Sequence, residues 1–432
     1  MPILDLIARL QTSLQQMQDG HFDLDMIEDD LMAFLIRLEQ HAIDDPEPVF
    51  ALLRRIRPVV VVKGYVLVTL HADVQDVLVH DQVFGVPYGP KMRVVTGGPD
   101  FFLGMANTPD YERDVAHMRS VIRRTDITEN IVPFVASEAA RIVGDANGRL
   151  ELVSQLTLPV PTNMICSYFG CVPDSVPDLA AWASTIFQYL FTDLTNDPTV
   201  DTAARAASAH VRDWLDRTIT GQKTKPTSSD SVLNRCLRLQ TAGLQGMDDL
   251  SIRDNLLGIL VGAIPTTSKC CVQALDELLK RPDMLAAAQQ AAVANDDATL
   301  ARYVFEALRF HPNNPGVFRV TLEDYVLGKG TSHATNIPVG STVLAATQSA
   351  MFDETVVDRP NEFRIDRPDY SYMFFGLGLH SCFGQYINRV QIPGILKPVL
   401  QRKNLRRAAG ASGQLTMTGP YPSSLSVEFD VA

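Results

Sequence analysis

The stretch FFGLGLHSCFG, Phe374 to Gly384, places one cysteine, Cys382, among three glycines, three phenylalanines and a histidine. A cysteine that only fills a core contributes volume and needs no glycine beside it. Glycine on both sides marks backbone that must approach another group closely, or turn in a way that side chains disfavour. The rest of the chain limits what that other group can be.

The chain has 432 residues, 46% hydrophobic and 20% charged, a balance that supports a sizeable folded core. Its net charge of −12 and the lack of any basic stripe argue against a nucleic-acid partner. The N-terminus, MPILDLIARLQTSLQQMQDG, has amphipathic-helix spacing without the basic start and apolar block of a signal peptide. No window reads as the run of about eighteen apolar residues that spans a bilayer, so a soluble, cytoplasmic protein is expected. Six cysteines are too few for a disulfide framework in so long a chain, and their spacing suits neither zinc nor an iron–sulfur cluster. Cys166, Cys171, Cys236, Cys270 and Cys271 read as buried small hydrophobes.

Residues 57–70, RPVVVVKGYVLVTL, read as a hairpin turning at Lys63-Gly64. From about residue 110 to 310 the periodicity is helical, broken at turns such as GCVPDSVPD. Asp249 to Lys280 is a long helical segment whose middle, LLGILVGAI, is apolar all round and so should be buried. Strand patterns return at VFRVTLEDYVLG, IPVGSTVLA and SLSVEF. The fold class is mainly α with minor β. No glycine-rich strand–turn–helix fingerprint marks a dinucleotide domain.

A thiolate bound to haem iron accounts for the Cys382 loop. Ligation needs a deprotonated sulfur, and backbone N–H groups in a tight glycine turn can stabilise that charge. Gly378 and Gly384 would let the loop curl beneath a flat macrocycle, and Phe375 would screen the sulfur from water. His380 can reach a propionate. The competing reading is a glycine-rich turn around a buried thiol.

Phe375, Gly378, His380, Cys382 and Gly384 together resemble the loop of the cytochrome P450 family of haem-thiolate oxygenases. The family loop usually continues with Ala-Arg, where this chain has Asn388-Arg389. The resemblance implies a single-domain fold of triangular-prism outline, helix-rich with a small β-rich region, over residues 45–432. Residues 1–44 would be a helical extension. It also implies haem b and a buried Glu306–Arg309 pair, completed by an arginine of RPNEFRIDRP (359–368). Arg319, on a strand, would bind one propionate, and His117 with Arg123, on one helix, the other. An apolar substrate would be lined by residues 84–111, 187–194, 258–267 and 313–317.

The family's oxygen-handling pattern is small-Gly-x-acid-Thr. Here Gly262, Ala263, Ile264, Pro265 and Thr266 occupy it, so Pro265 stands where the acid would be. Proline holds no titratable proton, and it removes an N–H and is expected to open the helix. Three activities stay open. One is a monooxygenase inserting one atom of O2 into a mostly apolar small molecule, with ferredoxin and ferredoxin reductase as partners and Ala263, Pro265 and Thr266 on the oxygen side. Another is a peroxide-driven peroxygenase or hydroperoxide isomerase. The last is a haem-binding protein without catalysis.

Overall fold

The computed structural model describes residues 3–18, 28–39, 43, 45–193 and 196–431. In chain order it begins with helices α1 (Ile3–Gln18), α2 (Glu28–Glu39) and α3 (Glu47–Ile56). Strands β1 (Val59–Val62) and β2 (Tyr65–Val68), helix α4 (His71–Val79) and strand β3 (Phe84–Gly85) follow. A helical stretch then holds α5 (Gly89–Thr96), α6 (Pro109–Val121), α7 (Val132–Asp145), strand β4 (Arg149–Glu151), α8 (Pro159–Phe169) and α9 (Val176–Phe191). It continues with α10 (Pro198–Thr224), α11 (Val232–Thr241), α12 (Asp249–Leu279), α13 (Pro282–Val293) and α14 (Asp297–Phe310). Strands β5 (Val317–Thr321), β6 (Tyr325–Leu327), β7 (Thr335–Ile337) and β8 (Thr342–Ala345) precede the short α15 (Thr347–Ala350). The chain closes with α16 (Gln385–Leu400), β9 (Arg406–Arg407), β10 (Thr416–Thr418), β11 (Tyr421–Ser424) and β12 (Ser426–Glu428).

These elements form two compact units. The first comprises residues 1–87, 192–195 and 314–382, and the second residues 88–191, 196–313 and 383–432. The expected N-terminal extension supplies α1 and α2, and α1 packs on α3 within the first unit. Its residues 1–2, 19–27, 40–42 and 44 lie outside the described residues, as does Leu194 of the expected substrate lining.

The first unit is built on a five-stranded sheet in the order β1-β2-β8-β5-β3. The β-branched runs around Lys63-Gly64 form the expected hairpin, with Val59 opposite Val68 and Val62 opposite Tyr65. β2 runs parallel to β8, and β5 lies antiparallel to it with Arg319 opposite Val343. Val60, Val62 and Leu67 are buried on one face of the sheet and Val66 and Val343 on the other, so the sheet is covered on both sides.

In the second unit α12 is the central helix, packed by α8, α9, α10, α14 and α16. Asp248 caps it by accepting a hydrogen bond from the Ser251 N–H at 3.0 Å. Against the sequence expectation, one stretch of α12 is long and apolar enough to cross a membrane, but 72% of that stretch is buried inside the protein. Pro265 likewise departs from expectation. It lies inside α12 without ending it, and the helix runs on for 14 residues to Leu279. Packing from several neighbouring helices holds both flanks, which outweighs the one backbone bond a proline removes.

Candidate active site

In the first unit the loop before α16 is folded on its own backbone. The Cys382 N–H donates to the Phe375 carbonyl at 2.8 Å, and the Ser381 N–H to the Gly378 carbonyl at 3.2 Å. Gly378 has φ +71°, and a Cβ there would lie 2.5 Å from the Leu78 carbonyl oxygen. Only glycine permits both that dihedral and that approach. The Tyr372, Phe374 and Phe375 rings follow one another at 5.6 and 5.0 Å, an aromatic flank to the loop.

Burial separates the cysteines. It pushes the thiols of Cys166 and Cys236 up to about 12, and those of Cys171 and Cys271 up as well. Burial favours the protonated form of these four, in keeping with their reading as small hydrophobes. Cys270 is half-buried rather than buried as the sequence suggested, and Cys382 is half-buried within its glycine loop.

Arg319 is 5% exposed in the middle of β5, with Nη1 donating to the Phe318 carbonyl at 2.8 Å. It is therefore not a solvent-facing edge arginine. His380 lies within the field of Arg319. Burial, with the Arg319 charge in support and Asp81 opposing, pushes its imidazole down to about 4. A buried guanidinium near a neutral imidazole is a donor set suited to carboxylates.

The second unit supplies α12. Between Ile252 and Leu278 every residue is buried except Ile259, Gly262, Ala263, Thr266 and Cys270. Their spacing places all five on one helix face, a partly uncovered stripe, small-residued from Gly262 on, along an otherwise enclosed helix. Thr266 Oγ1 donates to the Gly262 carbonyl at 2.5 Å. Pro265 is buried and lies off the stripe. One residue further on, the Thr267 hydroxyl donates to Asn388 Oδ1 on α16 at 3.1 Å. Gly258 admits the Phe101 ring, because a Cβ at that position would come within 2.1 Å of it. The Phe101 ring meets Phe102 at 4.6 Å, and Phe102 meets Phe383, the residue after Cys382, at 5.3 Å, both pairs tilted. Gly384 then forms the N-cap of α16.

His117 is on α6, with Nδ1 buried and without a partner among the described residues. Arg123 is not on that helix, which corrects the expectation. α6 ends at Val121 with Ile122 as its cap, and the half-exposed Arg123 reaches Asp230 at 3.4 Å. Glu306 and Arg309 share one face of α14, both fully buried. Of the arginines expected to complete that pair, Arg359 bonds Asp358 and Glu362, Arg364 bonds Asp358 and Asp366, and Arg367 donates to three carbonyls of its own loop.

An aromatic cluster in the second unit was not foreseen from sequence. Tyr88 meets Phe191 at 4.8 Å, Phe191 meets Phe187 at 4.6 Å, and Phe187 meets Tyr421 of β11 at 6.2 Å. The aromatic residues of α9 were visible as a lining segment, but nothing local tied residue 421 to them.

The residues present fit haem. A folded glycine loop carries a cysteine beside aromatic rings, a buried guanidinium and half-buried imidazoles are groups of the kind that bind carboxylates, and a central helix presents a partly uncovered stripe with a hydroxyl.

The comparisons agree with that fit. The family model for cytochrome P450 matches residues 197–418, just over half of the chain. The chain belongs to the cytochrome P450 family and is by class a haem-thiolate oxidoreductase of the monooxygenase type. It is 26% identical to a steroid C26-monooxygenase of Mycolicibacterium smegmatis over 59% of this chain and 60% of that relative's length. It is 24% identical to a vitamin D(3) 25-hydroxylase of Pseudonocardia autotrophica over 80% of this chain and 83% of the relative. The fold matches that of CYP109E1 from Bacillus megaterium, solved in complex with testosterone. That match has a TM-score of 0.74 and 17% identity, covering 90% of this chain and 100% of the other.

Proposed function

We propose that this chain inserts one oxygen atom of O2 into a mostly apolar, ring-bearing organic molecule, with electrons from a ferredoxin and its reductase in the cytoplasm. The observation that carries this reading is the α12 stripe, on which the Thr266 hydroxyl stands among small residues in an otherwise buried helix. The aromatic cluster on α9 supports an apolar substrate. So do the relatives named for oxidising a steroid and vitamin D(3).

Cys382 would hold the iron of haem b as its thiolate, with the Phe375 ring excluding water from the sulfur. Arg319, His380 and His117 would hold the propionates; Arg123, engaged with Asp230, is no longer assigned to them. Haem bound there supplies dioxygen activation. In the overall reaction a substrate C–H bond becomes C–OH, the second oxygen atom leaves as water, and two electrons and two protons are consumed. Thr266 can carry a proton by turning its hydroxyl away from the Gly262 carbonyl. Pro265 carries none, so water supplies that proton.

The test is turnover of a steroid panel by the haem-loaded protein with ferredoxin, reductase and NADPH, compared with hydrogen peroxide alone. Hydroxylated product that depends on O2 and on the reductase is expected. Equal turnover with peroxide alone would replace this reading with a peroxygenase.

A further inference from the structure

The hydroxyl of Tyr421 is buried and has no hydrogen-bond partner among the described residues, although its ring is partly exposed. Tyr421 opens β11, immediately after the turn from β10. β11 packs on α12, the helix of the Thr266 stripe, and α9 packs on the same helix. From α9 the Phe187 ring meets Tyr421 edge to face, and Phe191 and Tyr88 extend the aromatic wall. None of these residues accepts a hydrogen bond from the Tyr421 hydroxyl. Burial also pushes the Tyr421 phenol well above its ordinary range, so it remains a donor at any working pH. Leaving such a donor unmatched is destabilising, so a buried hydroxyl of this kind is expected to have a partner that the protein does not supply.

We infer that Tyr421 is a substrate-positioning residue: its hydroxyl donates to a single acceptor oxygen, such as a ketone, on an otherwise apolar substrate held against Phe187 and Phe191. This rests on the monooxygenase reading and narrows its substrate class to apolar ring systems that carry an acceptor. A site built to bond an acceptor discriminates against the analogue lacking it, because the donor is then left unpaired. The substrate is thereby held by one polar contact and one aromatic wall, which together restrict which carbon faces the stripe.

The test uses 5α-androstane and its 3-one and 17-one derivatives, which differ from the hydrocarbon by one ketone. Binding to the haem-loaded wild type and to Tyr421→Phe is measured by calorimetry and by the optical shift on ligand entry. In the wild type, at least one ketone is expected to bind tenfold or more tighter than the hydrocarbon. Tyr421→Phe should abolish that preference, so that ketone and hydrocarbon bind with the same affinity. Hydrocarbon binding without ketone preference, or a preference that survives in Tyr421→Phe, overturns the positioning role but leaves the apolar-substrate reading standing. The former result would mean that trapped water satisfies the hydroxyl. Binding of none of the three compounds overturns both readings.

Discussion

Glu306 and Arg309 stand one helical turn apart on α14 and meet through two hydrogen bonds, Nη2 to Oε1 at 2.8 Å and Nε to Oε2 at 3.1 Å. Neither side chain has any solvent exposure. Two charges can be enclosed in this way only while each neutralises the other. Removing one leaves the other buried and uncompensated, which costs about 3–5 kcal/mol. Glu306→Ala and Arg309→Ala should therefore each give little soluble, haem-loaded protein, read as yield and as haem per chain. Normal yield and haem content would reduce the pair to a minor contact.

Gly378 and Gly376 allow a controlled comparison within one loop. Both have positive φ, +71° and +67°, but an added Cβ meets the Leu78 carbonyl only at Gly378 and open space at Gly376. Gly376→Ala should cost about 1 kcal/mol of backbone strain. Gly378→Ala adds the clash and should lose haem markedly faster in a haem-transfer assay. Equal loss rates would mean that the close approach at Leu78 does not hold the loop.

Asp254 gives a pH signature. It is 2% exposed and lies beside Arg253, with Arg212 and Asp216 also acting on it. Burial outweighs the arginines and pushes its carboxyl up to about 6. A raised carboxyl means that the folded state holds its proton more tightly than the unfolded state does. The stability this group contributes is thus full below about pH 4 and is lost as the pH rises through about 6. Asp254→Asn cannot ionise, so its stability relative to wild type should rise across that window, by on the order of 1–3 kcal/mol. Denaturant melts at pH 4, 5, 6 and 7 measure it. A relative stability that falls instead would mean that the Arg253 pairing dominates over burial.

How much was legible in the sequence depended on how local each feature is. The hairpin at Lys63-Gly64, the span of α12, the Glu306–Arg309 pair and the Cys382 loop are each written within a few turns of chain. Spacing marked out the hairpin, the helix and the cysteine loop. The burial of Glu306 and Arg309 followed instead from the family resemblance, since an i,i+3 pair is common on solvated helix faces too. Arg123 was misplaced because the end of α6 depends on the backbone at Ile122, which the sequence does not signal. The continuity of α12 through Pro265 reflects packing by helices distant in sequence, which no local propensity encodes. The same is true of Tyr421, since the aromatic wall joins residues 88, 187, 191 and 421. The α12 stripe lay between these cases. Its small residues were visible, but its exposure followed only from what covers the rest of the helix.

Thr266 and Pro265 test the proton supply. Thr266→Ala removes the hydroxyl that now rests on Gly262, and the share of reducing power lost as hydrogen peroxide should rise several-fold. Pro265→Asp introduces an acid one residue earlier, and that loss should fall. Peroxide release unchanged in both variants would mean that protons reach the site without passing α12.

The assignment of Cys382 as the iron ligand carries the whole account, and one spectrum tests it most directly. The ferrous carbon monoxide complex of the wild type should show the red-shifted absorption band of a thiolate-bound haem. Cys382→Ala should lose that band even when haem is still bound. A Cys382→Ala protein that keeps the red-shifted band would mean that another cysteine binds the iron, and would contradict the account.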